Sequence, residues 1–184
     1  MESNNTENSL RVYLVRHGEI PVEFEGRYNG WIDVPLDTDR FLPDGVFDSV
    51  SRVEFDGIYS SDLSRCVQTA RAFGFSPVLD VRVREKSFGR AEGMSYDEIC
   101  DKFGILYDDF ESFIERIGGE TITEFKYRID DFLSQAKAMH GKKSILVFTH
   151  SGVIRYILSK VQKISLEEAF CIKIPYGGVT VVTL

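Results

Sequence analysis

At 184 residues, 43% hydrophobic and 28% charged, the chain has the size and composition of a globular domain able to bury a sizeable core. Its 22 Lys+Arg against 29 Asp+Glu leave a net charge of −7, which argues against a nucleic-acid binder with a basic face. An anionic small molecule stays open, because local arginines can outweigh the global sign within a cleft.

Three separated cysteines, Cys66, Cys100 and Cys171, make neither a disulfide framework nor a CxxC metal site. Reduced thiols in a cytoplasmic protein are therefore expected. No run approaches the ~20 apolar residues of a membrane span. Met1 to Ser9 is polar and Asn-rich, without the basic and apolar regions of a signal peptide, and reads as a disordered start. Residues 10–184 read as one domain. Leu10 to Val15 is apolar on both faces, as a buried parallel strand should be. A polar loop follows, punctuated by Gly26, Gly30, Pro35 and Pro43. Gly45 to Glu54 suggests a short helix, and Phe55 to Tyr59 a short strand. Ser60-Ser61-Asp62 offers N-cap chemistry for a helix from about Asp62 to Phe73. Pro77 to Val83 reads as a further strand.

Glu92 to Glu124 is acidic, with Ile99, Phe103, Leu106, Phe110, Phe113 and Ile114 at helical spacing. Helices packed on the sheet edge are expected there, their charges forming a solvated face. Thr121 to Met139 predicts a longer amphipathic helix opened by a Thr121/Glu124 capping box. Ser144 to Thr149 predicts a central strand and Gly152 to Lys160 a helix. Phe170 to Ile174 and Val179 to Leu184 read as two strands around Tyr176-Gly177-Gly178. This alternation predicts an α/β fold: a three-layer α/β/α sandwich on a mostly parallel sheet.

Two of the three histidines directly follow predicted strands: His17 in Arg16-His17-Gly18-Glu19 and His150 in Thr149-His150-Ser151-Gly152. In open α/β sheets ligands bind at the carboxyl ends of strands, so two imidazoles delivered there suggest one catalytic site. His17 is a nucleophile or base candidate near neutral pH, and Arg16 beside it presents a planar fork for phosphate oxygens. Arg65 falls in the first turns of a helix, where it would strengthen an anion site; taken alone it reads as a surface ion-pair partner. The free N–H groups of the helix after His150 could serve the same anion, whereas Arg155 reads as a surface charge. Glu85, after a strand and before a turn, is a general-acid candidate, although alone it reads as a solvated carboxylate. His140 reads as a helix-end cation or cap. No metal-ligand spacing and no GxxxxGK[ST] loop is present.

These blocks resemble the histidine phosphatase, or phosphoglycerate-mutase-like, superfamily: Leu14-Val15-Arg16-His17-Gly18-Glu19, Tyr59-Ser60-Ser61-Asp62-Leu63-Ser64-Arg65 with Gln68-Thr69-Ala70, and Phe148-Thr149-His150-Ser151-Gly152-Val153-Ile154-Arg155. The resemblance implies that His17 attacks phosphorus, and that Arg16, Arg65 and His150 hold the phosphoryl oxygens. It implies that Glu85 protonates the leaving oxygen, with neither metal nor cofactor. The stretches 26–36, 84–99 and 118–121 are similar to those of α-ribazole phosphatases, which act in cobalamin nucleotide-loop assembly. The implied partner is a small phosphorylated substrate such as α-ribazole 5′-phosphate, with no nucleic acid and no membrane. Oligomeric state is not legible.

Arg27, Asn29 and Glu23 are the expected substrate-pocket residues. Glu23 stands where many members carry a phosphate-contacting asparagine, and a carboxylate there repels phosphate unless protonated or turned away. Ile20 replaces a usual Thr or Ser, Ala91 stands where an aromatic residue is common, and the helix after Leu36 looks shortened. Rival readings are a mutase, an inactive binding protein and a protein phosphatase.

Overall fold

The computed structural model describes residues 9–40, 48–105, 107, 110–141 and 143–184. Residues 1–8 of the expected disordered start, residues 45–47 of the first expected helix, and Leu106 lie outside the described residues. The elements run β1 (Arg11–Arg16), α1 (Asp48–Ser51), β2 (Gly57–Ser60), α2 (Ser64–Ala72), β3 (Val78–Leu79), α3 (Tyr96–Phe103), α4 (Phe110–Arg116), α5 (Ile122–His140), β4 (Ser144–Thr149), α6 (Ser151–Gln162), α7 (Leu166–Phe170) and β5 (Val179–Thr183). The sheet order is β3-β2-β4-β1-β5, parallel except for β5, which runs antiparallel beside β1.

Strand alternation builds the layers. Val12, Leu14, Ile145 and Val147 point to one face, where they join apolar residues of α3 to α7. Val15, Leu146 and Phe148 point to the other, against Val50 of α1 and Cys66 and Ala70 of α2. The result is a three-layer sandwich whose two central strands are buried on both faces, which is why they read as continuous apolar runs. Register then places the site: Arg16 pairs with Thr149, and Ser60 pairs with Phe148. The residues that follow, His17, Ser61 and His150, therefore leave the sheet side by side.

α5 buries Ile122, Phe125, Ile129, Phe132, Leu133 and Ala136 at three- and four-residue spacing, and Thr121 and Glu124 form the expected capping box. The start of α2 differs from expectation. Its N-cap position is Leu63, without a side-chain cap bond. The cap comes from a distant loop instead, since the Ser64 N–H and Oγ–H both donate to the Asp33 carboxylate at 2.7 Å. The expected strand over 77–83 holds only Val78–Leu79 before a 3₁₀ turn, Val81–Val83. The expected strand over 170–174 is the end of α7 and a loop, because α7 carries its own Ser165/Glu168 capping box and draws Phe170 into a helix. No helix among the described residues is long and apolar enough to cross a membrane.

Candidate active site

A cavity of about 430 Å³ opens at the carboxyl ends of β1 and β4, and Arg16, His17, Arg65, Glu85 and His150 all line it. Residues from four separate parts of the chain thus converge. The His17 ring is buried and its Nδ1 lies 2.8 Å from the Gly18 carbonyl oxygen. A carbonyl only accepts, so Nδ1 carries the hydrogen and Nε2 keeps its lone pair. Burial, and then the charges of Arg65 and Arg16, hold the His17 pKa well below its ordinary value. The ring is therefore neutral at pH 7, with Nε2 poised as a nucleophile. The Gly18 N–H donates to Thr69 Oγ1 at 2.8 Å, and that hydroxyl donates to the Arg65 carbonyl at 2.6 Å. Thr69 so fixes the turn that carries His17.

Arg65 is 2% exposed and not a surface ion-pair partner. Its Nη1 and Nη2 donate to the carbonyls of Ile32 and Gly30, each at 2.8 Å. Its Nε donates to His150 Nδ1 at 3.3 Å. His150 consequently carries its hydrogen on Nε2, 2.9 Å from Ser61 Oγ. It is completely buried, and burial followed by the Arg65 charge holds it neutral. The two histidine rings meet edge-on with centroids 5.2 Å apart. Cys66 Sγ lies 3.4 Å from His150 Nε2, and burial pushes the thiol up to about 12, so it stays protonated beside the histidines.

Arg16 is held from β5's side of the sheet. Its Nη1 donates to the Ile174 carbonyl at 2.5 Å and its Cζ lies 3.7 Å from the centroid of Tyr176. Its Nε is buried and has no partner among the described residues. A buried donor without an acceptor is costly, so an anion is the natural complement of this edge.

Glu85 faces these cations. Its Oε1 accepts the Lys86 N–H at 2.9 Å and its Oε2 accepts the Gly152 N–H at 3.0 Å. One of the free helix N–H groups expected to meet the substrate therefore meets Glu85 instead. A Cβ on Gly152 would stand 2.1 Å from Glu85 Oε1, so only glycine lets the carboxylate approach α6 this closely. Behind Glu85, Arg128 donates to the carbonyls of Arg82 and Arg84 at 2.7 Å and of Glu85 at 2.8 Å, while its guanidinium pairs with Glu120 at 2.6 Å. The Lys86 ammonium is buried against the carbonyls of Ser87 and Glu120, at 2.9 and 2.6 Å. Burial lowers the Lys86 pKa.

The expected substrate-pocket residues divide. Glu23 is exposed and does not line the cavity; it sits in the 3₁₀ turn Val22–Phe24, turned away, so its charge does not oppose a bound phosphate. Arg27 lines the cavity, but its guanidinium donates to Glu98 at 2.6 Å, the Gly93 carbonyl at 2.9 Å and the Glu23 carbonyl at 2.8 Å. Asn29 also lines it, with Nδ2 on the Phe24 carbonyl at 2.7 Å and Oδ1 buried without a partner among the described residues. Arg155, expected at the surface, instead lines the cavity, with Nε on the Ile172 carbonyl at 3.0 Å. Spacing had this signal: Ser151, Gly152 and Arg155 stand at i, i+1 and i+4, one face of a helix. Tyr96, Phe110 and Ile114 of α3 and α4 also line the cavity, so the acidic stretch supplies a wall of the site. His140 ends α5 as expected; it joins the Asp56 carboxylate through Nδ1 and the Tyr59 hydroxyl through Nε2, and it does not line the cavity.

Comparison with known proteins agrees with this geometry. The pattern of the histidine phosphatase superfamily (branch 1) matches residues 12–184. Phosphoserine phosphatase 1 of Hydrogenobacter thermophilus is 26% identical over 170 residues, 86% of this chain and 79% of that protein. An adenosylcobalamin/α-ribazole phosphatase of Escherichia coli is 24% identical over 91% of this chain and 87% of its own length. The crystal structure of TTHB049 from Thermus thermophilus superposes with a TM-score of 0.66 at 30% identity, covering 94% of this chain and 92% of that one. With its two strand-end histidines and paired arginines at one cavity, the chain belongs to the histidine phosphatase superfamily.

Proposed function

We propose that the protein is a metal-independent phosphomonoesterase that hydrolyses a small phosphorylated metabolite through a phosphohistidine at His17. The observation that carries this reading is the tautomer of His17: its Nδ1 is committed to Gly18, and its Nε2 lone pair is free on a ring that lines the cavity. Arg16 offers an unpartnered Nε, and Arg65 adds a second buried guanidinium beside the same ring. These cations complement charge developing on the phosphoryl oxygens, the role a metal ion plays elsewhere. Nε2 attacks phosphorus as the P–O bond to the leaving group breaks. Glu85 supplies a proton to the departing oxygen and then accepts one from the water that attacks the phosphohistidine. His150 stays neutral and braces Arg65 through Nδ1.

Hydrolysis is favoured over mutase-type transfer because only 65 positions (150 − 85) separate Glu85 from His150. That leaves little chain to close over the intermediate and exclude water. Among substrates, α-ribazole 5′-phosphate is the one the stretches 26–36 and 84–99 favour, and the cavity's aromatic side chains, Tyr28, Phe88, Tyr96 and Phe110 among them, suit its flat base.

The test is phosphate release in excess EDTA from α-ribazole 5′-phosphate, O-phosphoserine, 3-phosphoglycerate and phosphotyrosine, with His17→Ala as control. Fast, His17-dependent release with α-ribazole 5′-phosphate preferred is expected. Release that persists in His17→Ala, or that vanishes with EDTA and returns with a metal, overturns the reading.

A further inference from the structure

We infer that Tyr176, on the loop between α7 and β5, is a positioning residue that fixes the phosphoryl-facing edge of Arg16. This rests on the reading of Arg16 as a phosphoryl ligand. The guanidinium is planar, with one face on each side and donors along its edges. The loop occupies both of the places that would otherwise let the group turn. The Ile174 carbonyl takes Nη1 at 2.5 Å, and the Tyr176 ring covers a face with its centroid 3.7 Å from Cζ. What remains is the edge formed by Nε and Nη2, and Nε is the buried nitrogen that lacks a partner among the described residues. A fork of two parallel N–H donors is the geometry that grips a phosphoryl group bidentately.

The loop is itself indexed to the nucleophile. The Gly177 N–H is shared between the carbonyls of Arg16 and His17, each at 3.1 Å, and the Arg16 N–H donates to the Gly178 carbonyl at 3.1 Å. Gly178 also closes a turn onto the Pro175 carbonyl at 3.1 Å. Tyr176 therefore cannot slide along β1 without breaking bonds to the two residues it serves. Its ring centroid also lies 5.5 Å from that of His17, so one side chain touches both the nucleophile and its neighbouring cation. Arg155 holds the other end of the loop through the Ile172 carbonyl at 3.0 Å. The consequence is a guanidinium set in place before substrate arrives, which lowers the ordering cost of binding.

Calorimetric titration with inorganic phosphate, beside turnover, separates the possibilities. Tyr176→Leu is expected to weaken phosphate binding by about 3- to 30-fold, the range of a cation–π contact. It should lower kcat/KM by a similar factor for aryl and alkyl phosphates alike, because the phosphoryl group is common to all. Tyr176→Phe keeps the ring but loses the hydroxyl, which also interacts with the Arg16 guanidinium, so it should lose distinctly less affinity than Tyr176→Leu. The Arg16 Nε–H proton resonance, shifted by the ring in the parent and in Tyr176→Phe, should move in Tyr176→Leu; a melting curve confirms that each variant is folded.

Unchanged phosphate affinity in a folded Tyr176→Leu overturns the inference. So does a loss that tracks the leaving group, or equal impairment of Tyr176→Phe, which would make the hydroxyl the active feature. Failure of the parent protein to bind phosphate at all would instead overturn the reading of the site on which this one stands.

Discussion

Single atoms set the chemistry of this site. On the proposed mechanism His17 can act as the nucleophile because one carbonyl claims its Nδ1, and Glu85 sits in reach because Gly152 has no side chain. Gly152→Ala would place a methyl group 2.1 Å from Glu85 Oε1 and force the carboxylate away, although alanine suits a helix better than glycine. If Glu85 is the general acid, this variant should lose about 100-fold or more in kcat/KM on alkyl phosphates, and much less on p-nitrophenyl phosphate, whose leaving group needs no proton. A steady-state comparison of the two substrates checks it, and equal losses would remove Glu85 from the proton transfer. At this scale the sequence was informative where chemistry shows in the residue type. Arg16, His17 and His150 announced themselves at strand ends, and Glu85 by an expected strand over 77–83 that the structure shortens to Val78–Leu79. Arg128 and the stacking role of Tyr176 did not, because an arginine gripping carbonyls and a stacked ring have no signature until the chain is folded; Thr69 stood in a matching block, but its hold on the turn shows only in the fold.

Elements deliver those atoms to one place. The central strands β1 and β4 and helix α5 were legible because their signals are local: continuous apolar runs for strands buried on both faces, and a 3.6-residue period behind a capping box. The start of α2 was not, since its cap is the carboxylate of Asp33, 31 positions earlier. The loop over 29–36 explains itself in the same way: its carbonyls at Gly30 and Ile32 receive Arg65, and its Asp33 caps α2, so it orients an arginine. Tertiary partners of this kind override local propensity. α5 has a corresponding energetic weight. Phe132 is 2% exposed and packs edge-on against Tyr59 with centroids 5.4 Å apart. Phe132→Ala should cost about 3–5 kcal/mol of unfolding free energy, measured by urea denaturation. A loss under about 1 kcal/mol would mean that α5 does not close the core on this face.

The molecule as a whole carries two neutral, buried histidines, and that makes its stability depend on pH. Both His17 and His150 titrate well below the ordinary 6.5, chiefly through burial. Below pH 6.5 the unfolded chain therefore binds protons that the folded chain refuses. Stability is fully present above that pH and falls as the pH drops from 6.5 toward the folded-state values. Asp56, Asp62, Glu98, Glu124 and Glu168, whose pKa values are also lowered, add their losses only at more acid pH, below ordinary carboxylate values of 3.8 to 4.5. The thermal midpoint should thus decline between about pH 6.5 and 5, with a shallower slope in His17→Ala. An identical slope in that variant would show that His17 is charged in the folded protein. Neutrality is also what the proposed attack of His17 on phosphorus requires, so on that reading stability and catalysis share one electrostatic condition.

That shared condition makes the phosphoenzyme the quantity to measure. The protein, mixed with α-ribazole 5′-phosphate in excess EDTA and quenched in alkali within the first turnovers, should gain one phosphoryl group by intact mass. Peptide mapping should place the group on His17, and His17→Ala should lack it while still binding inorganic phosphate. Phosphate release in the first turnovers without any covalent adduct, or an adduct at another residue, would contradict the account.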